Sequence, residues 1–414
     1  MLRILHLCKK FPYPLADGET MAIHAMGKSL RDAGAELCLL AMNTSRHFFR
    51  KPAEGWPAAL AHYREVRMAE VDNRITPLGA LANLFSDASY HIVRFESKRF
   101  AQALEEWLSA ERFDAFLLET PYLSPYIETI RRHSAAPVIL RAHNVECEVW
   151  ERHAALLPQG PKRWYLSYLA KKLRRYEEAM LPHYDLLLAI TKRDLVRFRA
   201  MGFRGKGIAF PVGVFLGEYP EDSGAEAPLS LGFLGAMDWA PNAEGIRWFM
   251  ASVWPELQRE FPNLQLEMAG RNMPAWARQF NGPNARVLGE VEDARAFMAR
   301  HPVLLAPILS GSGVRIKVIE GMAMGKVVLS TSIGMEGIPA RAGQEVLVAD
   351  TPTEFVAQLR YLYDHPEQVR EIGRRARAFI GTHFDRDALA KKLLETIHSL
   401  PGQPSAKGYG GDLA

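Results

Sequence analysis

The sequence is poor in cysteine, has no long apolar run and carries little excess charge. Its three cysteines, Cys8, Cys38 and Cys147, lie far apart and form no C-x-x-C pair. A sparse, odd set is typical of a reducing compartment, and it argues against a disulfide framework or a zinc site of paired thiolates. No window approaches the ~18 consecutive apolar residues of a spanning helix, and the first apolar run is too short for a signal peptide. These absences predict a soluble, cytoplasmic protein.

Charge and length limit the function classes further. The formal net charge of +4 is small, whereas nucleic-acid binding usually needs a concentrated basic surface, so no nucleic-acid partner is expected. The apolar fraction of 48% and the charged fraction of 24% are those of an ordinary folded protein. At 414 residues the chain is long for one hydrophobic core, which predicts two domains.

Short apolar strands alternate with helical segments along the chain, a pattern typical of parallel sheets covered on both faces. The predicted strands are Arg3–Cys8, Glu36–Met42, Phe113–Leu118, Val138–Arg141, Leu186–Ile190, Leu231–Leu234, Gln265–Ala269, Val303–Ala306 and Val327–Ser330. The main predicted helices are Thr20–Ala33, Asn242–Leu257 and Gly313–Met324. A break rich in proline, glycine and serine divides the alternation into two halves.

The fold class predicted from this pattern is α/β, with two doubly wound parallel-sheet domains in succession. The predicted boundaries are a first domain at 1–210, a linker at 211–230, a second domain at 231–385, a C-terminal helix that packs back on the first domain at 386–400, and a disordered tail at 401–414.

The two commonest phosphate loops of such domains are missing. A dinucleotide G-x-G-x-x-G should follow the first strand, but Lys9–Pro14 cannot make that turn. A P-loop needs four residues between its glycines and a hydroxyl residue after its lysine. Only three residues separate Gly321 from Gly325, and Lys326 is followed by valine. A dinucleotide-dependent dehydrogenase and a P-loop ATPase are therefore excluded.

A different phosphate site is predicted where a strand of the second half ends in a loop of small residues, Ser310–Gly313. Glycines there let backbone N–H groups approach an anion, and the following helix adds its N-terminal partial charge. Gly313, Lys317 and Glu320 fall at i, i+4 and i+7, so they share one helix face. Amides, a cation and a carboxylate in this order suit a diphosphate followed by a ribose. The alternative is a solvated helix with a Lys–Glu pair worth about 0.2–0.5 kcal/mol.

The same stretch resembles the donor-binding signature of glycosyltransferase family four, whose members are retaining enzymes with the GT-B fold. That family often carries two glutamates separated by seven residues, then E-A-x-A-x-G-x-P-V-V and S-x-x-G-x-x-E/G. Here the run from Glu320 to Gly337 is EGMAMGKVVLSTSIGMEG. Further agreement lies at Gly235–Asn242, Met268–Gly270 and Val287–Val291. The resemblance implies two Rossmann-like domains that face each other across a cleft, with the acceptor bound by the first (1–210) and the nucleotide sugar by the second (231–385).

The resemblance also implies roles for the residues of this site. Glu320 is implied to bind the ribose hydroxyls, and Lys317 is the candidate for the phosphates; both are predicted to be catalytic. Ser312 stands in the place of the first glutamate, so contacts to the sugar ring fall to its hydroxyl and to neighbouring amides. The basic residues that many relatives carry after the first strand of this domain are missing, and Arg271 or Arg315 is expected to compensate. The predicted donor-binding residues are Gly18, Gly235, Asn242, Arg271, Gly311, Ser312, Gly313, Arg315, Lys317 and Glu320.

Two loops of the first half follow strands, and loops at the carboxyl ends of parallel strands form the ligand crevice. In similar transferases a glycine at the position of Gly18 approaches the donor phosphate or the acceptor; the alternative is a plain strand–helix turn capped by Asp17 or Thr20. The family has an important histidine near the donor sugar at the position of His143, which is predicted to be catalytic. A lone histidine is otherwise often structural. The predicted acceptor-binding residues are Asp17, Glu19, Asn144 and Glu146.

The segment Lys162–Arg175 combines basic and aromatic residues on a predicted helix, and it is the candidate for peripheral contact with the inner face of the plasma membrane. Leucines at helical spacing form its inward stripe. The residues expected to meet an anionic bilayer are Trp164, Tyr165, Tyr168, Lys171, Lys172 and Arg175. The alternative is a solvated basic face.

The function implied by the resemblance is a metal-independent, configuration-retaining transfer from a UDP- or GDP-type nucleotide sugar to a glycan or lipid-linked acceptor. No bound cofactor is implied, and the setting is bacterial surface-polysaccharide or lipopolysaccharide synthesis. Two alternatives stay open. A sugar-nucleotide epimerase with the same fold would need no acceptor, and a non-catalytic, transferase-like partner in a polysaccharide-assembly complex would explain Ser312.

Overall fold

The computed structural model describes residues 1–15, 18–219, 228–311 and 314–400. The chain forms two compact units. The first consists of Met1–Pro211 together with Asp387–Ala414, and the second of Val212–Arg386. The predicted tail at 401–414 and much of the predicted linker lie outside the described residues.

The first unit alternates strands and helices. In chain order these are β1 (Arg3–Cys8), α1 (Gly18–Asp32), β2 (Glu36–Thr44), β3 (Glu65–Val71), α2 (Pro77–Ala82), α3 (Tyr90–Val93), α4 (Lys98–Ala110), β4 (Ala115–Leu118), α5 (Ile127–His133), β5 (Val138–Ala142), α6 (Glu146–Ala155), α7 (Pro161–Met180), β6 (Leu186–Ala189), α8 (Lys192–Ala200) and β7 (Lys206–Ala209). Short 3₁₀ helices lie at Ala58–Leu60, Asn83–Phe85, Pro121–Tyr126 and Leu181–His183.

These strands form one parallel sheet in the order β3-β2-β1-β4-β5-β6-β7. Leu7 pairs with Leu40 on one side and Leu118 on the other. Strands β4 and β6 are buried at every position, as expected for continuous apolar strands covered on both faces. The strand order reverses between β1 and β4, so the loops that follow these two strands flank the place where such sheets bind ligands.

The second unit repeats the pattern. Its elements are β8 (Ser230–Leu234), α9 (Ala240–Ser252), α10 (Trp254–Glu260), β9 (Gln265–Ala269), β10 (Ala285–Gly289), α11 (Ala294–Ala299), β11 (Val303–Ala306), α12 (Ile316–Ala323), β12 (Val327–Ser330), β13 (Leu347–Val348), α13 (Pro352–Asp364) and α14 (Pro366–His383). The parallel sheet has the order β10-β9-β8-β11-β12-β13, and its reversal lies between β8 and β11.

Helix α15 (Arg386–His398) follows α14 but contributes to the core of the first unit. Its Ala390, Leu393 and Ile397 are buried in one cluster with residues of β1, β2, β4 and β6. The spacing i, i+3, i+7 gives the helix a single apolar face, which the sheet covers.

The prediction of two parallel, doubly wound α/β domains is confirmed, and some predicted elements are corrected. The helix predicted at Asn242–Leu257 is two helices, because Pro255 has no N–H to continue the ladder of α9. The helix predicted from Gly313 begins at Ile316. Strands β3, β7, β10 and β13 were missed, because three of them are partly exposed and β13 has only two residues.

Candidate active site

The loops that follow β8 and β11 flank the reversal point of the second sheet. Gly235 comes directly after β8, and Gly311 lies in the loop between β11 and α12. Gly270, after β9, approaches the first of these loops so closely that a Cβ would lie 1.8 Å from the carbonyl oxygen of Gly235. Only glycine fits there, so bare backbone lies at the carboxyl ends of the central strands, where parallel sheets bind ligands.

Lys317 is a partly buried cation with neutral partners. Its Nζ donates to the carbonyl oxygen of Leu234 at 3.1 Å and to Oδ1 of Asn242 at 2.8 Å, and it lies 4.7 Å from the centre of the Phe233 ring. In the described part of the chain no carboxylate pairs with this ammonium. Burial, with the charge of Arg315, lowers the pKa of Lys317 to about 7. An anion bound beside it would favour the charged form.

The side chain of Asn242 makes its hydrogen bonds to other groups of the protein. Its buried side chain donates from Nδ2 to the carbonyl oxygen of Ala236 at 2.9 Å and accepts from Lys317 at Oδ1. A Cβ on Gly235 would lie 2.8 Å from the same amide group. Asn242 therefore positions Lys317 in this structure, whereas the sequence predicted direct donor contact for both Gly235 and Asn242.

Glu320 is also partly buried and has its own partner. The hydroxyl of Tyr219 donates to Oε1 of Glu320 at 2.9 Å. Burial raises the pKa of Glu320, while this hydrogen bond and the charge of Arg295 oppose the rise. The guanidinium of Arg295 lies 4.7 Å from the centre of the Tyr219 ring and pairs with Glu218 at 2.7 Å. Lys317 and Glu320 thus have different partners, which argues against the alternative of a solvated Lys–Glu pair.

The two arginines predicted to compensate for missing basic residues have different surroundings. Arg315 is buried, its guanidinium lies 5.1 Å from the centre of the Trp239 ring, and burial lowers its pKa. Gly311, with φ +98°, lies beside it, in a conformation that favours glycine. Arg271 is exposed in the loop after β9, where its carbonyl oxygen accepts from the N–H of Met237.

Three predicted site residues, Asp17, Ser312 and Gly313, lie outside the described residues. The neighbouring Ser310 is described, and its hydroxyl donates to Oε2 of Glu244 at 2.8 Å. A carboxylate from α9 therefore lies beside the loop that follows β11.

In the first unit, one buried carboxylate joins three strands of the sheet. Glu119 follows β4, and its Oε1 lies 2.6 Å from Nε2 of His6 on β1. Its Oε2 lies 2.6 Å from Nε2 of His143, which follows β5. Nη1 of Arg141 donates to both carboxylate oxygens, at 3.1 and 3.0 Å. Nδ1 of His6 is 2.9 Å from the hydroxyl of Tyr63. Burial acts to raise the pKa of Glu119, but Arg141 and the histidines hold it well below its ordinary value.

Gly18, Glu19 and Asn144 were also predicted as site residues of the first unit. Gly18 is exposed as the first residue of α1, and a Cβ there would meet nothing within 4 Å. Glu19 pairs with Lys9 at 3.5 Å and Lys10 at 3.3 Å. Asn144 is exposed beside the histidine that precedes it.

Glu146, the fourth predicted acceptor-binding residue, makes hydrogen bonds inside the unit. It is buried, its Oε2 accepts from the hydroxyl of Tyr122 at 3.0 Å, and its N–H donates to Glu177 at 3.1 Å. The structure therefore assigns Glu146 an internal contact at the start of α6.

Four polar residues of these clusters were missed from the sequence: Glu119, His6, Tyr219 and Glu244. Glu119 follows a buried strand directly, the signal that identified His143, and His6 is a polar residue inside an otherwise apolar strand. Both could have been found. Tyr219 is about a hundred positions from Glu320 in the chain, and Glu244 is similarly remote from Ser310, so only the tertiary structure reveals these pairs.

The basic and aromatic segment of α7 is partly used inside the first unit, which corrects its predicted surface. Lys172 is buried, and its ammonium donates to the carbonyl oxygens of Asn83 and Ser86. The hydroxyls of Tyr165 and Tyr168 donate to backbone carbonyls of α2 and of the 3₁₀ helix that follows it, at 3.4 and 3.1 Å. These three side chains fasten residues 77–86 onto α7, so they are not free to meet a bilayer.

The segment held in this way exposes large apolar side chains. Leu78 is 82% exposed and Phe85 is 89% exposed. Leu156 and Trp164, at the end of α6 and the start of α7, are exposed as well. The exposed basic residues of α7 are Lys162, Lys171 and Arg175. We call these seven residues the α2–α7 surface.

Among the described residues, no helix has both the length and the apolar composition needed to cross a membrane. Within the same residues, no group of three or more histidine, cysteine, aspartate or glutamate side chains is arranged to hold a metal ion.

Part of the chain is similar in sequence to known proteins. Residues 228–365 match the model of the family described as glycosyl transferases group 1. An uncharacterised 44.6 kDa protein in the cps region of Klebsiella pneumoniae is 23% identical over 333 residues, which cover 77% of this chain and 82% of that protein.

Solved structures that match nearly the whole chain share its fold. Sucrose-phosphate synthase from Thermosynechococcus elongatus superposes with a TM-score of 0.64 at 14% identity, covering 96% of this chain and 99% of its own. Anabaena Alr3699/HepE, solved in complex with UDP, gives a TM-score of 0.62 at 14% identity, covering 96% of this chain and 100% of its own. The chain thus has the GT-B fold.

Proposed function

We propose that this GT-B glycosyltransferase binds the diphosphate of a nucleotide sugar at Lys317 and transfers the sugar with retention of configuration. The observation that carries the proposal is the partly buried ammonium of Lys317, which has only neutral partners among the described residues. A buried cation without a counter-ion is costly, and a bound anion removes that cost. The site lies at the reversal point of the second sheet, where nucleotides bind in doubly wound folds.

In the proposed reaction the bond between the anomeric carbon and the diphosphate oxygen breaks, and a bond from an acceptor hydroxyl to the same carbon forms. Lys317 and loop amides stabilise the negative charge that develops on the leaving diphosphate. The hydroxyl proton passes to a diphosphate oxygen, so the protein supplies no nucleophile. Glu320 accepts hydrogen bonds from the ribose hydroxyls. In the first unit, His143 contacts a substrate hydroxyl.

The donor proposed is a UDP- or GDP-type sugar. Structures of Anabaena Alr3699/HepE contain UDP, UDP with glucose, and UDP-glucose, which makes UDP the first probe to test. The cps-region location of the Klebsiella relative suggests an acceptor in surface-polysaccharide synthesis. We include a glycan or a lipid-linked saccharide as the proposed acceptor class.

The test combines ligand binding and turnover. The free energy of unfolding should be measured with UDP and with GDP. A nucleotide that binds the folded chain raises this free energy by about 2.7 kcal/mol at a concentration of about 100 times its Kd. Lys317→Ala should reduce turnover of the preferred sugar nucleotide by about 100-fold or more, and Glu320→Ala should weaken nucleotide binding by about tenfold or more. Arg259→Ala, an exposed site in the same unit, is the control. Wild-type turnover in both variants would refute this site.

Product analysis separates the alternatives. A transferase releases the nucleoside diphosphate only when an acceptor is present and adds the mass of a sugar to that acceptor. An epimerase releases an altered sugar nucleotide without an acceptor. Nucleotide binding with no turnover across an acceptor panel would support the non-catalytic partner, which the replacement of a glutamate by Ser312 favours.

We also propose that the α2–α7 surface binds an anionic phospholipid bilayer. Leucine, phenylalanine and tryptophan side chains are exposed on α7, at the end of α6 and on the segment attached to α7, and α7 also exposes Lys162, Lys171 and Arg175. Exposed apolar and basic residues together are typical of a membrane interface. Apolar contact and attraction to negative headgroups would act together. The proposed surface still includes α7. Lys172, Tyr165 and Tyr168 are not part of it, because they contact the segment that exposes Leu78 and Phe85.

Vesicle flotation tests this surface. The chain should float with vesicles of phosphatidylcholine and phosphatidylglycerol and much less with phosphatidylcholine alone. A Leu78→Ser, Phe85→Ser double variant and a Lys171→Glu, Arg175→Glu double variant should each lose most of the bound fraction. Val196→Ser, an exposed apolar position on α8, is the control and should float like the wild type. Equal flotation of all four proteins would contradict the proposal.

A further inference from the structure

The carboxylate of Glu119 accepts hydrogen bonds from a defined set of donors. It is fully buried and accepts from His6, His143 and Arg141, and Arg141 also donates to the carbonyl oxygen of Ala22 on α1 at 3.2 Å. Because Arg141 keeps its charge and holds the carboxylate ionised, Glu119 accepts only. Each histidine must therefore carry a proton on the Nε2 that faces Glu119. The tautomers of both rings follow from this one group.

The two histidines differ in what lies at the other nitrogen. With its proton on Nε2, His6 can accept at Nδ1 from the Tyr63 hydroxyl, so its hydrogen bonds are complete inside the unit. His143 has no bond to Nδ1 from any residue that the structure describes. Its side chain is 15% exposed, whereas those of His6 and Glu119 are 0% exposed and that of Arg141 is 2% exposed. His143 is therefore where this buried network meets the surface of the unit.

We propose that Glu119 is a positioning residue, which fixes His143 with its proton on Nε2 and presents Nδ1 as a hydrogen-bond acceptor to a substrate hydroxyl. The carboxylate sets both the rotation of the ring and the tautomer, as the partner of a functional histidine does in other enzymes. The activity arm of the test rests on the proposed transferase function, whereas the tautomer itself does not.

A purely structural role for Glu119 would need fewer groups. One ion pair with Arg141 already compensates the carboxylate, and each further donor must be desolvated and ordered. The strand register makes the arrangement specific. Leu118, which precedes Glu119, pairs with Leu7 of β1 and with Leu140 of β5. The carboxylate thus emerges between the strands that carry the two histidines, next to the reversal point of the sheet.

Nitrogen NMR of the wild-type chain, with histidine labelled by ¹⁵N, tests the tautomer directly. The resonances of His143 are identified by their loss in His143→Ala. We expect the shift of a protonated nitrogen at Nε2 and of an unprotonated nitrogen at Nδ1. A proton on Nδ1 in the neutral ring would overturn the proposal, whatever the enzyme's activity. This measurement needs no Glu119 variant to fold.

Substitution tests whether the tautomer matters. Glu119→Gln keeps the shape but offers one acceptor and one donor, so it cannot hold both rings in the Nε2–H form. We expect turnover to fall about 10- to 100-fold or more, while UDP affinity, measured in the second unit, stays within about twofold. Tyr63→Phe is the matched control, because it perturbs the network beyond His6 and leaves the contact to His143 in place; its turnover should stay within about threefold of wild type.

A double-mutant cycle separates positioning from a general loss of stability. In a His143→Ala background, Glu119→Gln should cause little further loss of turnover, because its partner is already missing. An independent, multiplicative loss in that background would overturn the proposal, as would wild-type turnover in folded Glu119→Gln. If the wild-type chain turns over no sugar nucleotide at all, the proposed function fails, and the NMR result still decides the assignment of Glu119.

Discussion

At the residue scale, the feature that sets the site apart is an ammonium held by uncharged acceptors. Lys317 has a pKa lowered to about 7, chiefly by burial and also by Arg315. A bound diphosphate acts in the opposite direction, because a nearby negative charge favours the protonated amine. At pH 8 the free site is largely neutral and the occupied site charged, whereas at pH 6 the amine is charged in both.

Nucleotide binding should therefore take up about one proton at pH 8 and almost none at pH 6 through Lys317. The measurement is calorimetry of UDP binding in HEPES and in Tris, whose ionisation enthalpies differ, so the observed heats should diverge at pH 8. Lys317→Met is the control, since it has no proton to gain. Identical heats in the two buffers at pH 8 for the wild type would show that Lys317 does not meet the diphosphate.

At the scale of elements, helix α6 depends on a carboxylate from α7. Its N-cap residue, Val145, has no side chain that can cap. Glu177 instead accepts from the N–H groups of Glu146 at 3.1 Å and Cys147 at 2.7 Å. Burial raises the pKa of Glu177 to about 7, although these hydrogen bonds act to lower it. This helix start lies directly after His143, so the cap also supports the candidate site.

The stability of the first unit should depend on pH through Glu177. Between pH 4.5 and 7 the folded chain binds this proton and the unfolded chain releases it, so the free energy of unfolding falls as pH rises through this range, by about 3 kcal/mol in all. Urea unfolding at pH 5 and pH 8 should show the fall in the wild type and a smaller one in Glu177→Gln. Parallel pH dependences for the two proteins would contradict this.

At the scale of the molecule, the first unit is completed by the far end of the chain. Leu393 of α15 is fully buried in the cluster that contains β1, β2, β4 and β6. The second unit contains the proposed nucleotide site and has its own core. A destabilising substitution in α15 should therefore lower the stability of the first unit and leave nucleotide binding unchanged.

Leu393→Ala should destabilise the first unit by about 2–5 kcal/mol, because it opens a cavity in a packed core. Hydrogen exchange should become faster in peptides of β1, β2, β4 and β6 and stay unchanged across 231–385, with UDP affinity unaltered. Lys392→Ala, an exposed position on the same helix, should change stability by no more than about 0.5 kcal/mol. An equal effect of the two substitutions would contradict the placement of α15.

The central elements followed from the sequence because local pattern decides them. Strands such as Val303–Ala306 and Val327–Ser330 were predicted at their observed bounds, since buried parallel strands are continuous apolar runs. The edge strands β3 and β10 were not predicted, because partial exposure admits charged residues into the pattern. Pro255 divides α9 from α10, a signal that was present in the sequence and was missed.

What the sequence determined by itself was the α/β class, the two-unit organisation of the strands, the position of His143 after a strand, and the shared helix face of Lys317 and Glu320. Only the tertiary structure decided what those residues touch. It joined His143 to Glu119, Lys317 to Asn242 and Glu320 to Tyr219, and it buried Lys172. The reason is physical: backbone pattern is set by near neighbours in the chain, whereas burial, partner and pKa depend on groups that only folding brings together.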